Sequence, residues 1–281
     1  MRVLVPMTSS SFSNRGNISS FLAMDVMREA NILQQTGQDI CHLEVGQPST
    51  KAPQVVLEAA RQALDSELIG YTDALGLDDL RQALSAYYLK TYKVEVSPDR
   101  FVITTGSSAG FILAFLACLD AGQKVAVTSP GYPAYTNIIK SLDLSPVAIP
   151  LGQENDWSLS VAGLHDAEKL HGTIDALLMA SPANPTGTML TKQALTDLSL
   201  DCAQSGRWFF SDEIYHGLTY SQEAVSALQV GDHDGLIVMN SFSKYFSMTG
   251  WRIGWMIVPP KMVRPVERLQ QNLFISAPTL S

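Results

Sequence analysis

The chain has 281 residues, which is long enough for one large domain or for one domain and part of another. Hydrophobic residues make up 46% of it and charged residues 16%, a balance typical of a globular protein with a buried core. The net charge of −8, with no run of basic residues, argues against nucleic acid and anionic membrane surfaces as partners, because phosphate groups are bound by clustered Lys and Arg.

The cysteines and the apolar segments bear on the compartment. Three cysteines lie far apart without the spacing of a zinc site, so we expect buried free thiols in a reducing environment: Cys41, Cys118 and Cys202. Residues 1–16 lack the apolar core and cleavage site of a signal peptide. The most apolar stretch, residues 111–119, is shorter than the roughly 20 residues that span a bilayer. We therefore expect a soluble cytoplasmic protein.

The first hundred residues are predicted to be helical. Apolar residues recur at helical spacing within 17–37, and residues 53–66 and 76–92 have the pattern of amphipathic helices. The third of these helices starts close to Asp78 and Asp79, which are favourable at a helix N-terminus.

Beyond residue 100, short apolar runs alternate with helical stretches. The predicted strands are 101–105, 124–129, 145–151, 175–181, 207–213, 236–243 and 251–258, followed by a helical run over 261–272. Most of these runs lack alternation of apolar and polar residues, as expected for strands buried on both faces. Strands separated by helices predict an α/β fold, with a mainly parallel sheet flanked by helices.

Five of the predicted strands carry polar or Gly/Pro-rich motifs at their ends: TGSSAG, SPGYPAY, SPANPTG, SDEIY and SFSKYF. In open α/β sheets, ligands bind at the carboxyl ends of the strands. The five motifs therefore predict one shared site.

One part of this site has the features of an anion-binding loop. The segment 106–110 links a strand to an apolar helix, so its free backbone N–H groups would point at an anion, although a plain β–α turn often has the same composition. Ser241, Lys244 and Arg252 add donors and positive charge within an otherwise apolar stretch. A lone Lys or Arg is usually a solvated surface residue, but this apolar context favours a small anionic ligand.

Asp212 lies at the end of a predicted central strand, after three consecutive aromatic residues. An ionised carboxylate is costly to bury without a cationic partner. Either a structural salt bridge or a protonated heterocyclic nitrogen of a ligand would satisfy it. Tyr215, three residues later, could reach the same ligand.

From about Gly46 to Gly254 the order of these motifs resembles that of the class I/II pyridoxal-phosphate-dependent aminotransferases, which are fold-type I, aspartate aminotransferase-like enzymes. SFSKYFSMTGWRIG resembles the lysine segment of the family. This implies that Lys244 forms the Schiff base with pyridoxal 5'-phosphate, with Ser241 and Arg252 at the cofactor phosphate.

The resemblance also assigns residues around the cofactor ring. SDEIY implies that Asp212 pairs with the pyridine nitrogen and that Tyr215 contacts the ring oxygen. SPANPTG implies that Asn184 contacts the same oxygen and lies at the substrate, and SPGYPAY implies that Tyr132 stacks on the ring.

Three further motifs complete the expected site. TGSSAG implies a phosphate loop formed by Ser107, Ser108 and Ala109. LEVGQP places Gly46 at the substrate carboxylate. GYTDALGLDDLR implies that Tyr71 reaches the phosphate of a neighbouring subunit, and hence a homodimer.

The resemblance implies transfer of an amino group between an L-amino acid and a 2-oxo acid, with Lys244 as general base and acid and no metal. The motifs hold the cofactor without specifying the amino acid or the reaction, so a same-fold lyase, decarboxylase or synthase remains an alternative. A non-enzymatic regulator is disfavoured because the segment before Gly46 is too short and uncharged for a DNA-binding module. Ser241 and Lys244 also fit the S-x-x-K pattern of penicillin-binding proteins and class A β-lactamases, but neither S-D-N nor K-T-G follows.

Members of this family continue into a small domain whose arginine binds the substrate carboxylate, and no position here matches it. We therefore expect residues 1–45 to belong to the small domain and residues 46–281 to form the cofactor-binding large domain, with the C-terminal part of the small domain missing. If the chain is the whole molecule, we expect weak or no transaminase activity. If it is a fragment of a longer gene product, we expect the longer protein to be active.

Overall fold

The structure, a computed structural model, describes residues 12–66 and 68–281. The expectation that the chain begins without a signal peptide falls mainly on residues 1–11, which lie outside the described residues.

A single seven-stranded sheet forms the centre of the described chain. Its strands are β1 Phe101–Thr104, β2 Lys124–Ser129, β3 Ser145–Pro150, β4 Ala176–Ala180, β5 Trp208–Asp212, β6 Leu236–Ser241 and β7 Gly254–Ile257. Their spatial order is β1-β7-β6-β5-β4-β2-β3. All seven predicted strands are confirmed, with ends that differ by up to three residues.

The sheet is parallel except at β7, which pairs antiparallel with both β1 and β6. The segment 242–253 between β6 and β7 contains only a single turn of 3-10 helix, Thr249–Trp251. A parallel return needs a long crossover, usually a helix, so this short connection brings β7 back in the opposite direction. The prediction of a mainly parallel α/β sheet is confirmed, with β7 as its exception.

Eight α-helices accompany the sheet in the described residues: α1 Leu22–Gln35, α2 Gln54–Ser66, α3 Asp78–Tyr92, α4 Gly106–Cys118, α5 Pro133–Ser141, α6 Val161–His171, α7 Lys192–Ser205 and α8 Pro260–Leu273. The helix predicted over 76–92 begins at Asp78. Gly76 has a φ of +96° and Leu77 is extended, so neither residue can continue a helix.

The sheet separates two hydrophobic clusters. Helices α3, α6 and α7 contribute buried residues to one cluster, and helices α4, α5 and α8 contribute to the other. Consecutive strand residues point to opposite faces, so Phe209 belongs to the first cluster and Phe210 to the second. Burial on both faces explains the continuous apolar runs in the strand sequences.

Helix α1 buries none of its residues, and Leu22 is 72% exposed. None of the described helices combines the length and apolarity that crossing a membrane requires.

All three cysteines are free, but only Cys202 is buried, while Cys118 is intermediate and Cys41 exposed. The expectation of three buried thiols was therefore wrong for Cys41, because this residue lies in the irregular surface segment after α1.

Candidate active site

The topology brings the strand-end motifs to one edge of the sheet. Strands β2, β4, β5 and β6 are mutually parallel, so their carboxyl ends lie together. β7 pairs Gly254 with both Thr104 and Ser241, which places the end of β1 at the same edge. The segments that follow these strands carry the residues predicted to bind a ligand.

Asp212 is buried at this edge and is held by two neutral donors. The hydroxyl of Tyr135 donates to Oδ2, and the backbone N–H of Ile214 donates to Oδ1 at 3.0 Å. Burial raises the pKa of Asp212 to about 6, against the lowering effect of these two bonds. Among the described residues no Lys or Arg forms an ion pair with Asp212. A structural salt bridge is therefore not what satisfies this carboxylate, and a cationic ligand atom would.

Asn184 and Tyr215 come from adjacent strand ends and meet directly. The side-chain N–H of Asn184 donates to the Tyr215 hydroxyl oxygen at 3.2 Å. Tyr132 packs edge-to-face against Tyr135, with ring centroids 5.2 Å apart. The arrangement places two polar groups and an aromatic ring around Asp212, at the carboxyl end of β5.

Lys244 lies between this group and the N-terminal part of the chain. Its Nζ donates to the carbonyl oxygen of Gly46 at 2.5 Å and stands 5.8 Å from the centroid of the Tyr215 ring. Burial, and then the positive charge of Arg252, lower the pKa of Lys244. A lowered pKa increases the fraction of neutral amine, which is the form that attacks a carbonyl carbon.

The first turn of α4 forms the anion-binding end of the site. Gly106 begins the helix, so the N–H groups of Ser107, Ser108 and Ala109 have no partner one turn earlier in the helix. The guanidinium of Arg252 packs against Gly106 and donates from Nη1 to the carbonyl oxygen of Thr249 at 3.0 Å. Unpaired N–H groups, the helix dipole and a guanidinium together suit a phosphate.

Two further predicted residues differ in exposure. Ser241 is 1% exposed; its hydroxyl donates to the carbonyl oxygen of Ile253 at 3.0 Å and accepts the N–H of Ser243 at 3.1 Å. Tyr71 is 83% exposed and lies on the surface.

The structure adds three residues that the sequence motifs did not single out. Tyr135 binds Asp212, and its position three residues after Tyr132, at helical spacing, was the available signal. Glu213 follows Asp212, His216 follows Tyr215, and both are almost completely buried, at 1% and 4% exposure. Buried polar residues beside a binding motif often support it, and no sequence pattern distinguished these two.

The donor set fits one kind of ligand. A flat heterocycle would meet an aromatic face at Tyr132, a carboxylate for its protonated nitrogen at Asp212, and polar groups for a ring oxygen at Asn184 and Tyr215. Its phosphate would meet the start of α4, and its aldehyde would meet Lys244. Pyridoxal 5'-phosphate has all of these groups.

Comparison with known proteins gives the same family. The family model described as aminotransferase class I and II matches residues 38–281. A valine–pyruvate aminotransferase of Mycobacterium tuberculosis is 42% identical over 267 residues, which are 95% of this chain and 68% of that protein. An aspartate aminotransferase of Thermotoga maritima is 33% identical over 253 residues, 89% of this chain and 66% of that protein.

Solved structures agree with the sequence relatives. An aminotransferase from Mycobacterium tuberculosis superimposes with a TM-score of 0.92 at 41% identity, covering 97% of this chain and 70% of the other. The aspartate aminotransferase of Thermus thermophilus with maleate gives 0.91 at 27% identity, covering 97% and 71%. The chain thus spans about two thirds of the length of these proteins, and it belongs to the class I and II aminotransferases, pyridoxal-phosphate-dependent enzymes that transfer an amino group between an amino acid and a 2-oxo acid.

Proposed function

We propose that the edge of the sheet described above is the active site of an aminotransferase, with Lys244 as its catalytic lysine. The observation that carries this proposal is the buried carboxylate of Asp212, which has neutral donors around it and no basic side chain of the described residues paired with it. The bound cofactor supplies an electron sink for the bonds of the substrate's α-carbon.

Lys244 has two tasks. Its Nζ is the atom through which the chain holds the cofactor, and once released, the same amine takes the proton from the substrate's α-carbon and later gives it back. The burial of Lys244 and the nearby Arg252 support this role, because they lower the pKa of the amine. A neutral amine is required for both attack and proton abstraction.

Asp212 keeps a proton on the ring nitrogen. Its carboxylate gains a cationic partner there, which offsets the cost of its burial, and Tyr135 orients it through the hydroxyl bond. Asn184 and Tyr215, which are bonded to each other, would hold the ring oxygen, and Tyr132 would stack on the ring.

The remaining polar residues fix the phosphate and the substrate. Arg252, Ser241 and the N–H groups of Ser107, Ser108 and Ala109 are assigned to the phosphate. The hydroxyl of Ser241 also accepts the N–H of Ser243, next to Lys244.

Gly46 and Asn184 are assigned to the substrate carboxylate, and the bond from Lys244 to the carbonyl oxygen of Gly46 supports a position of Gly46 beside the catalytic lysine. The relatives named above act on valine with pyruvate and on aspartate, so these amino acids are the first candidates for the donor.

The assembly is proposed to be a homodimer in which Tyr71 of each subunit reaches the phosphate site of the other; its 83% exposure supports such a contact. Residues 1–45 are assigned to the small domain and residues 46–281 to the large one. The exposed side chains of α1 are consistent with this division.

Three free cysteines favour the cytoplasm, where thiols stay reduced.

A half-reaction screen tests the function. Single amino acids are added to the cofactor-loaded protein, and the visible absorption of the cofactor is followed; a donor should bleach this band, and pyruvate or another 2-oxo acid should restore it. Lys244→Ala is the control that should show neither change. If pyruvate and ammonia were released without a 2-oxo acid, the protein would be a lyase and not an aminotransferase.

A further inference from the structure

His216 follows Tyr215 directly and has both ring nitrogens occupied by other parts of the protein. Nε2 lies 2.9 Å from the carbonyl oxygen of Ser181, and Nδ1 lies 2.9 Å from the hydroxyl oxygen of Tyr92. Because a carbonyl oxygen can only accept, Nε2 must carry the proton, and Nδ1 then accepts the hydrogen of Tyr92. Burial lowers the pKa of His216 to about 4, so the ring is neutral near pH 7.

Ser181 holds the loop that carries Asn184 in place through three hydrogen bonds. Its N–H donates to the carbonyl oxygen of Asp212 at 3.2 Å, and its hydroxyl accepts the N–H of Leu190, at the far end of the loop, at 3.0 Å. Its own carbonyl oxygen accepts the hydrogen of His216. The two ends of the 181–190 loop are therefore fixed through one residue.

His216 thus links the loop after β5 to the loop after β4. These are the two loops whose side chains, Tyr215 and Asn184, meet at 3.2 Å. The distance between the two side chains therefore depends on the bonds that join the two loops.

The other charged group facing His216 is Glu213. Its Oε2 lies 3.6 Å from Nδ1 and has no hydrogen-bond partner, while its Oε1 accepts from Ser211, Ser226 and the N–H of Ala227. Burial raises the pKa of Glu213 to about 7. Asp212 lies close enough to His216 to exert a smaller Coulombic effect on its pKa. The Tyr92 hydroxyl therefore competes with the Glu213 carboxyl for Nδ1.

We infer that His216 is a positioning residue, which holds the Asn184 loop at hydrogen-bond distance from Tyr215. The carbonyl oxygen of Ser181 sets the ring tautomer, and the hydroxyl of Tyr92 in α3 satisfies the other ring nitrogen. The inference rests on the proposed function, which assigns Asn184 and Tyr215 to the ring oxygen of the cofactor. It adds a pathway from α3 through His216 to that oxygen.

The inference has a directional consequence. Hydrogen-bond donors to the ring oxygen offset part of its negative charge. The weaker negative charge stabilises the protonated Lys244 nitrogen to a smaller extent, so the pKa of that nitrogen is lower. Displacing Asn184 should therefore raise the pH midpoint of the cofactor's visible absorption, by roughly one pH unit if one hydrogen bond is lost.

Two amide substitutions separate the functions of the two ring nitrogens. Glutamine places its amide N–H near the position of Nε2, whereas asparagine reaches only the position of Nδ1. In the cofactor-loaded protein, His216→Gln should keep the midpoint of the wild type and His216→Asn should raise it. His233→Asn is the control, because His233 is a part-buried imidazole that bonds Ser199 before the start of β6, at the opposite edge of the sheet.

A second measurement needs no cofactor. In the unloaded, uniformly 15N-labelled protein, His216 should show a protonated Nε2 and a bare Nδ1 near neutral pH. The side-chain amide signal of Asn184 should move in His216→Asn but not in His216→Gln. Equal behaviour of the two variants, or a proton on Nδ1, would overturn the inference. A wild-type protein without a lysine-linked visible band would instead refute the proposed function, and the Asn184 signal would still decide the role of His216.

Discussion

The guanidinium group of Arg252 occupies the space that a side chain on residue 106 would need. A Cβ atom on Gly106 would overlap Nη2 of Arg252 and lie 3.0 Å from its Cζ. Both residues have left-handed backbone conformations, with φ of +72° at Gly106 and +55° at Arg252. The close approach of the two segments assembles the anion-binding end of the site, and a side chain at position 106 would displace the guanidinium as well as strain the backbone.

Gly106→Ala should therefore weaken cofactor binding. Gly122→Ala is the matched control: Gly122 also has a positive φ, +87°, but nothing lies within 4 Å of the added methyl group. Both substitutions should cost about 1 kcal/mol of backbone strain, and only Gly106→Ala should also displace Arg252 and reduce the affinity for pyridoxal phosphate about tenfold or more. Titration of each unloaded variant with cofactor measures the difference; equal affinities in the two variants would refute the assignment of Arg252.

Asp212→Ala should still bind cofactor but turn over roughly one hundred times more slowly or worse, because the ring nitrogen loses the carboxylate that keeps it protonated. Tyr135→Phe removes only one donor from Asp212 and should cost less, about tenfold. Single-turnover rates with a donor amino acid give the comparison. Near-normal turnover in the Asp212 variant would contradict the role of Asp212 in keeping the ring nitrogen protonated.

Asp212 also predicts a pH dependence of stability. Burial raises the pKa of Asp212 from 3.8 to about 6, so between these values the folded protein binds a proton that the unfolded chain has released. Its contribution to the free energy of unfolding therefore falls as pH rises through this range, by up to about 3 kcal/mol.

In the unloaded protein, the stability of Asp212→Asn relative to wild type should accordingly increase between about pH 4 and about pH 7.5. Glu213, with a pKa raised to about 7, and His216, with a pKa lowered to about 4, also titrate in this range. As pH rises, the contribution of Glu213 to the free energy of unfolding falls and that of His216 rises. They are present in both proteins and largely cancel in the difference. Urea unfolding at the two pH values measures it, and a difference that is independent of pH would show that Asp212 has an ordinary pKa.

Subunit mixing tests the proposed homodimer. Tyr71→Ala and Lys244→Ala should each impair the protein alone. In a mixed dimer, the site that keeps Lys244 receives Tyr71 from the other subunit, so one of its two sites is intact. Co-refolding equal amounts should restore about a quarter of the wild-type activity, since half of the dimers are mixed. Unchanged activity after mixing would contradict a contact of Tyr71 across subunits.

The sequence was sufficient for the strands and for the edge at which they meet. Their apolar runs are continuous and bounded by Gly, Pro and polar motifs, so Asp212, Asn184 and Lys244 could be predicted to lie at strand ends. The antiparallel direction of β7 was not predicted, because the signal there is only the shortness of the connection after β6.

The residues that support the site were harder to find. Tyr135 contacts Asp212 across 77 positions, and Tyr92 contacts His216 across 124. No periodicity links residues at such separations, because their contact arises from the packing of α5 and α3 on opposite faces of the sheet. The hydroxyl of Ser241 was placed by its motif alone, and its bond to Ile253 depends on the pairing of β6 with β7.

The central claim is that the chain holds pyridoxal phosphate through Lys244. The most direct measurement is borohydride reduction of the cofactor-loaded protein, followed by peptide mass mapping, with Lys261→Ala as a control for a surface lysine, 55% exposed, beside Asp234. The account predicts the cofactor mass on the peptide that contains Lys244, in wild type and in Lys261→Ala, and its loss together with the visible band in Lys244→Ala. Stable labelling of a different lysine, or an unchanged band in Lys244→Ala, would contradict it.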